Sequence, residues 1–404
     1  MRFIFIAHGL IDRTGHHYME ARAFKEEAAK HNLSCTILAH RDISPSIRDE
    51  LDALPLFQHN HYEKLFRRRY LGPLLDFRFF GRAMRKQLLS LPSETITAAD
   101  ILVCPLTRAR AMFGLALWLA RTPREKHPFL AINFMIDDIS HPSNKRKRRI
   151  LNIKPEKFYR FAFSRLRKRL APDRLLLSAG GIAFAQAMTR ILNHPVQAFP
   201  LPVQHEIPFA RFDNPSPEQS PLIVFLGSMR KNKGSDLAGA VIRRVLQHHP
   251  CCRFYLQANP VCWEERWGDE IGPVGMTRVH IHRGEMAQEE YQNTMNRADL
   301  VLIPYLPAGY TLQTSGVFSE AMAMGKVSII PEGTWMADMF LKFGGGGVLY
   351  PRHEVGAIVE AILKGLEHLP QLTRDMQGIS SMWQESMGMK AFLQRILDAA
   401  GSRA

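Results

Sequence analysis

The chain has 404 residues, 46% hydrophobic and 23% charged, and its 53 Lys and Arg against 38 Asp and Glu give a formal net charge of +15. That length exceeds one ordinary core and predicts two domains, the composition excludes a disordered or fibrous chain, and the excess of cations calls for an anionic partner or surface. Five cysteines without a C-x-x-C pair argue against a disulfide framework or a zinc site, the opening apolar run is too short for a signal-peptide core, and no stretch long enough to span a bilayer occurs, so the expected location is cytoplasmic.

Arg2–His8 is an apolar β-type run ending at Gly9. A polar loop with Gly15, His16 and His17 follows, then a helical pattern over Tyr18–His31 and a second strand over Ser34–Ala39. Strand, glycine-bearing loop, helix, strand is a Rossmann-like opening, but no G-x-G-x-x-G is present, which argues against a dinucleotide dehydrogenase. His59–Leu89 is aromatic, basic and helical in pieces. Asp100–Leu106 reads as a strand, Arg108–Arg121 as a buried helix, and Phe129–Ile136 as a strand that runs into Asp137 and Asp138. The segment Asn144–Arg174 holds 13 Lys and Arg against Glu156 and Asp173. Arg174–Ser178 is a further strand, a helix ends near Leu192, and Val196–Pro200 closes the first half.

The Pro- and Ser-rich stretch between Pro202 and Pro221 reads as a linker. Leu222–Gly227 restarts the alternation as a strand, and the basic turn Ser228–Gly234 leads to a helix through His248. Strands over Arg253–Ala258 and Arg278–His282 and a helix over Gln288–Asn296 precede the most informative stretch, Arg297–Pro331. There Ala298–Tyr305 is a strand, Ser315–Met324 a helix with Val317, Ala321 and Met324 on one face, and Lys326–Pro331 another strand. Thr314 or Ser315 can cap that helix, which leaves N–H groups and the positive dipole end free for an anion, most often a phosphate. The alternative is an ordinary capped α/β helix. Gly344–Gly347 reads as a flexible loop, since it does not join a strand to a helix as a phosphate loop does. A helix over His353–His368 and two helical pieces, Asp375–Glu385 and Lys390–Ala399, complete the pattern.

The segment SGVFSEAMAMGKVSII resembles the nucleotide-sugar segment of GT-B glycosyltransferases, above all the large retaining group with a Glu, seven residues and a second Glu. The resemblance implies α/β architecture with two Rossmann-like domains and a C-terminal helix crossing back to the first. The domains would be residues 1–203 on the acceptor side and 221–374 on the nucleotide-sugar side, with a linker at 204–220 and a tail at 375–404. Glu320 matches the second Glu and would hold the donor ribose, while Leu312 stands where the first would contact the transferred sugar. The turn FLGSMRKNKG resembles the family's diphosphate signature, in which Lys233 matches the Lys and Ser228 replaces an Arg that Arg230 could supply. Lys233 and Arg230, with Thr314, Ser315 and Gly316, would hold the diphosphate. Gly15 would allow close approach from the first domain, with His16 and His17 as acceptor-side candidates whose alternative is a solvated first turn. Asp137, at the place of the family's His-Asp pair, is the catalytic candidate, as a base toward an acceptor hydroxyl or as a stabiliser of positive charge on the sugar. Its alternative role is a turn or helix cap. Adjacent Asp side chains on an extended strand point to opposite faces, so no metal is expected and no cofactor beyond the nucleoside diphosphate sugar substrate.

The resemblance implies sugar transfer, with retention, to a glycan or lipid-linked acceptor in the biosynthesis of a polysaccharide. Residues 59–89 and 144–174 hold 8 and 13 Lys and Arg with aromatic residues between them, which ranks an anionic membrane surface ahead of nucleic acid and makes the protein peripheral at the inner membrane face. A non-catalytic binding protein on the same scaffold, attached by its basic face, is the alternative.

Overall fold

The computed structural model describes residues 1–13, 16–60, 63, 65–66, 71–135, 154–201, 220–259 and 263–401. Gly15, Asp137, Lys145–Arg149 and nearly all of the expected linker lie outside them. The chain divides into two compact units, Met1–His205 with Gly388–Ala404, and Glu206–Met387.

The first unit is built on a parallel sheet of seven strands: β1 Phe3–Ala7, β2 Cys35–His40, β3 Ala53–Phe57, β4 Ile101–Cys104, β5 Phe129–Phe134, β6 Leu175–Gly180 and β7 Gln197–Phe199, in the order β3-β2-β1-β4-β5-β6-β7. β1, β4 and β5 are buried at every position, as continuous apolar runs covered on both faces by helices should be. β3, with Pro55 at its centre, is an edge strand, where a missing N–H does not interrupt the ladder. The helix Met389–Gly401 belongs to this unit and completes its core: Phe392 packs edge-on against Phe24 at 6.4 Å and Phe199 at 5.6 Å, and Arg395 Nη1 donates to the Ala198 carbonyl at 2.8 Å.

The second unit repeats the plan with six parallel strands, β8 Leu222–Phe225, β9 Arg253–Ala258, β10 Val279–Arg283, β11 Leu300–Leu302, β12 Val327–Pro331 and β13 Gly347–Tyr350, in the order β10-β9-β8-β11-β12-β13. Asp299 Oδ2 accepts from the Leu222 N–H at 2.7 Å and fastens the start of β11 to the start of β8. The helix Leu369–Met387 covers the helix Gly316–Ala323, with Trp383 edge-on to Phe318 at 5.7 Å and Gln384 Nε2 donating to the Ala323 carbonyl at 2.7 Å. The second half of the glycine run is packed, not a loose loop. Gly344, Gly345 and Gly346 all have φ near +95°, a Cβ on Gly346 would strike Met376, and one on Gly347 would strike the Ser328 carbonyl oxygen.

Each sheet reverses its strand order once, between β1 and β4 and between β8 and β11. In open parallel sheets the crevice beyond the carboxyl ends of such a pair is where ligands bind. Among the described residues no helix is long and apolar enough to cross a membrane.

Candidate functional site

In the second unit, the loops after β8 and β11 meet at this reversal. The turn after β8 tightens into the short 3-10 helix Lys231–Lys233 and leaves it through Gly234 at φ +79°. A Cβ on Gly234 would fall onto the Pro304 carbonyl oxygen, so this loop lies directly on the chain leaving β11, and the Leu306 N–H donates to the Asn232 carbonyl at 2.9 Å. Two indoles fix the loop from outside: Trp263 Nε1 donates to the Met229 carbonyl at 3.1 Å and Trp267 Nε1 to the Ser235 carbonyl at 2.8 Å.

This clamp decides where Lys233 goes. Lys231 reaches Asp236 at 3.9 Å, whereas Lys233 Nζ lies 5.1 Å from the Tyr305 ring centroid, with no ion pair among the described residues. It crowds Gly227 together with Val317 on the opposite helix: a Cβ there would stand 3.5 Å from Nζ and 3.3 Å from Val317 Cγ2. Burial lowers the pKa of the Lys233 ammonium and Arg230 adds to that, while Tyr310 acts the other way. A partly desolvated cation facing another cation favours an anion beside it. The helix Gly316–Ala323 starts at the same place. Ser315 Oγ accepts from the Phe318 N–H at 3.3 Å, and Thr314 and Ser315 are buried while Gly316 is exposed.

One turn along that helix, Glu320 Oε2 accepts from the Tyr291 hydroxyl at 2.6 Å. Burial pushes its carboxyl up to about 7, with the Tyr291 hydrogen bond opposing the shift. Tyr305 and Tyr310 pack ring to ring at 4.5 Å between Glu320 and the cations, and burial raises the pKa of both. The structure therefore brings Arg230, Lys233, Thr314, Ser315, Gly316 and Glu320 together beyond the carboxyl ends of β8 and β11. It adds Tyr291, Tyr305 and Tyr310, which the sequence reading missed. Their only signal was three tyrosines within twenty residues of a predicted strand end, among the nine in the chain.

In the first unit, His16 opens the helix His16–Lys30 and the His17 ring packs over Gly9, just past the end of β1. His17 shares a small pocket with His8, Glu20 and Leu106 at the β1–β4 reversal. Burial raises the Glu20 carboxyl to about 8, and burial, with Arg110 and His40, lowers His8 to about 3, so both are neutral near pH 7. Leu106, which follows β4, holds a left-handed φ of 54°, an uncommon conformation for a branched residue.

Residues 220–368 match the family model described as Glycosyl transferases group 1. Sucrose-phosphate synthase from Thermosynechococcus elongatus has a similar structure, at TM-score 0.66 and 12% identity over 100% of this chain and 99% of that one. HepE from Anabaena, solved with UDP and glucose, is similar at TM-score 0.62 and 13% identity over 100% of both chains. The catalytic domain of starch synthase IV from Arabidopsis thaliana, bound to ADP and acarbose, is similar at TM-score 0.63 and 11% identity over 99% of each chain. Likeness at these identities establishes the shared fold, and the matched domain ties the second unit to sugar transfer. No curated protein sequence matches the chain.

Proposed function

We propose, for a chain that is a GT-B glycosyltransferase with a Glycosyl transferases group 1 domain, that it moves a sugar from a nucleoside diphosphate sugar to a membrane-associated glycan or lipid-linked acceptor, with retention. The observation that carries the donor half is Lys233, drawn out of water beside Arg230 at the start of a capped helix, with Glu320 one turn further along. The diphosphate lies against Lys233 and Arg230 and the N–H groups that follow Thr314 and Ser315, and Gly316 lets it come close. These groups meet its charge without a metal ion. Glu320 accepts from the ribose hydroxyls through the oxygen that Tyr291 leaves available. UDP, the nucleotide found with the Anabaena protein, is the first to try.

On the acceptor side, Gly15 admits the substrates, and His16 and His17 face the acceptor. As the anomeric C–O bond to the diphosphate breaks and the bond to the acceptor oxygen forms, Asp137 either receives the acceptor proton or offsets positive charge on the sugar. Asp137→Asn should then lower turnover about a hundredfold with donor affinity unchanged, the signature of a group used only in the transition state. Transfer at the native rate would leave Asp137 a turn residue.

The test of the whole reading is a thermal-shift panel of UDP, GDP, ADP and dTDP and their sugars, with and without a chelator, followed by assay of sugar release. One nucleotide should stabilise the protein whether or not chelator is present. No response to any member would overturn the donor site. A response without sugar release would favour the alternative to which Leu312 and Ser228 point, a binding protein that does not transfer.

A further inference from the structure

The function proposed above assigns no role to a groove of about 740 Å³ in the first unit, lined by the helices Gly72–Leu89, Ala109–Leu119 and Pro155–Arg167. Its floor is phenylalanine. Phe77 and Phe113 stack at 4.7 Å with their planes 16° apart, and Phe158 and Phe161 pack against Phe77 at 4.9 and 6.1 Å. Phe161 is nevertheless 43% exposed.

Cations stand along both walls. Arg78, Arg82 and Arg85 recur at i, i+4 and i+7 and so form one row on the first helix. Arg165, Lys168 and Arg169 stand on the other side, with the Arg165 guanidinium 5.1 Å from the Phe161 ring centroid. Among the described residues no acidic side chain lines the groove, none of these six cations has an ion-pair partner, and Arg85 Nε is buried without a hydrogen bond. Like charges at i, i+4 on a helix repel by a few tenths of a kcal/mol per pair, so the row on the helix Gly72–Leu89 costs stability unless an anion lies beside it.

We infer that this groove binds an anionic membrane phospholipid, with an acyl chain along the phenylalanine floor and the phosphate between the two cationic rows. A solvated basic face would account for the charge but not for an apolar floor beneath it. Single-stranded nucleic acid would need open ring faces on which bases stack, and Phe77 and Phe113 have turned theirs toward each other. An amphiphile with one negative head and one apolar chain satisfies both halves of the lining. The inference rests on the membrane-face part of the function proposed above only for taking a bilayer as the source of the lipid.

Flotation of the full chain with vesicles of phosphatidylglycerol in phosphatidylcholine, and of phosphatidylcholine alone, tests it. Phosphatidylglycerol carrying a diazirine on its acyl chain is used in parallel to map the contact. The protein should float with the anionic vesicles only, and cross-links should fall within residues 72–89, 109–119 or 155–167. The triple variant Arg78→Gln, Arg82→Gln, Arg85→Gln and the single variant Phe161→Asp should each weaken flotation at least tenfold and keep the native response to nucleotide. Equal flotation with neutral vesicles, cross-links confined to other residues, full flotation of both variants, or an RNA oligonucleotide that displaces the vesicles would each overturn it. Failure of the donor site removes the nucleotide response and spares flotation, whereas failure of the groove does the reverse.

Discussion

Glu320→Gln should raise the melting temperature of the ligand-free protein at pH 8 by several degrees and weaken nucleoside diphosphate binding at least tenfold. Burial lifts the Glu320 carboxyl from 4.5 to about 7 in the folded chain. A raised carboxyl costs nothing while both states are protonated, below about pH 4.5. The cost grows between the two values and is complete above about pH 7, where a shift of this size amounts to about 3 kcal/mol. Gln keeps an acceptor for the Tyr291 hydroxyl and carries no charge, so that cost disappears. The same exchange removes a charged acceptor from the ribose, worth about 1.5–3 kcal/mol. Scanning calorimetry from pH 5 to pH 8 should find the stability gain largely gone at the acidic end, and titration calorimetry should find the affinity loss at pH 8. An unaltered dissociation constant would sink Glu320 as the ribose ligand, and an unaltered melting temperature at pH 8 would sink the buried charge. Opposite signs in the two measurements are the mark of a group kept for binding at the expense of the fold.

Gly234→Ala should destabilise the second unit by about 3–4 kcal/mol, combining a left-handed backbone cost with displacement of a packed backbone neighbour. Gly234 holds φ +79°, and the added methyl would fall onto the Pro304 carbonyl oxygen, an atom without a side chain's freedom to swing away. Relief requires the loop to lift off the chain leaving β11, which breaks the Leu306 to Asn232 hydrogen bond and carries Lys233 away from Tyr305. Urea unfolding and nucleotide titration on the same sample should therefore fall together. A variant of native stability would show that the two loops are not clamped at this point.

The central strands β1, β4, β5, β8, β11 and β12 were legible in the sequence because they run apolar on both faces between breakers, as a parallel sheet covered by helices demands. β3 was not, since Pro55 in ALPLF argues against a strand until its place at the edge is known. The helices Trp263–Ile271 and Trp335–Lys342 are too short for their periodicity to stand out from loop. Ser315 could be picked out as the cap of a helix that follows a strand, and Lys233 and Glu320 through the resemblance of their segments to the family's motifs. Tyr291 could not: its hydroxyl reaches Glu320 only because the helix Gln288–Arg297 packs beside the helix that follows β11, 29 residues later. The glycine run misled for a related reason. Composition alone reads it as slack, and only the positions of Met376 and Ser328 show that side chains are excluded at Gly346 and Gly347.

The helix Met389–Gly401 also sets an order of events during synthesis. Seen as a chain, the second unit is an insertion within the first, because Phe24 and Phe199 receive Phe392 only after all of Glu206–Met387 has been made. A nascent first unit must wait with the apolar patch around Phe24 uncovered, at elongation rates of about 5–20 residues per second. The second unit has its whole sequence in hand earlier and can fold first. A frameshift or early stop that removes this helix would thus injure the half of the molecule farthest from it in sequence, and the damaged chain would offer chaperones an exposed aromatic surface while its second unit stays intact.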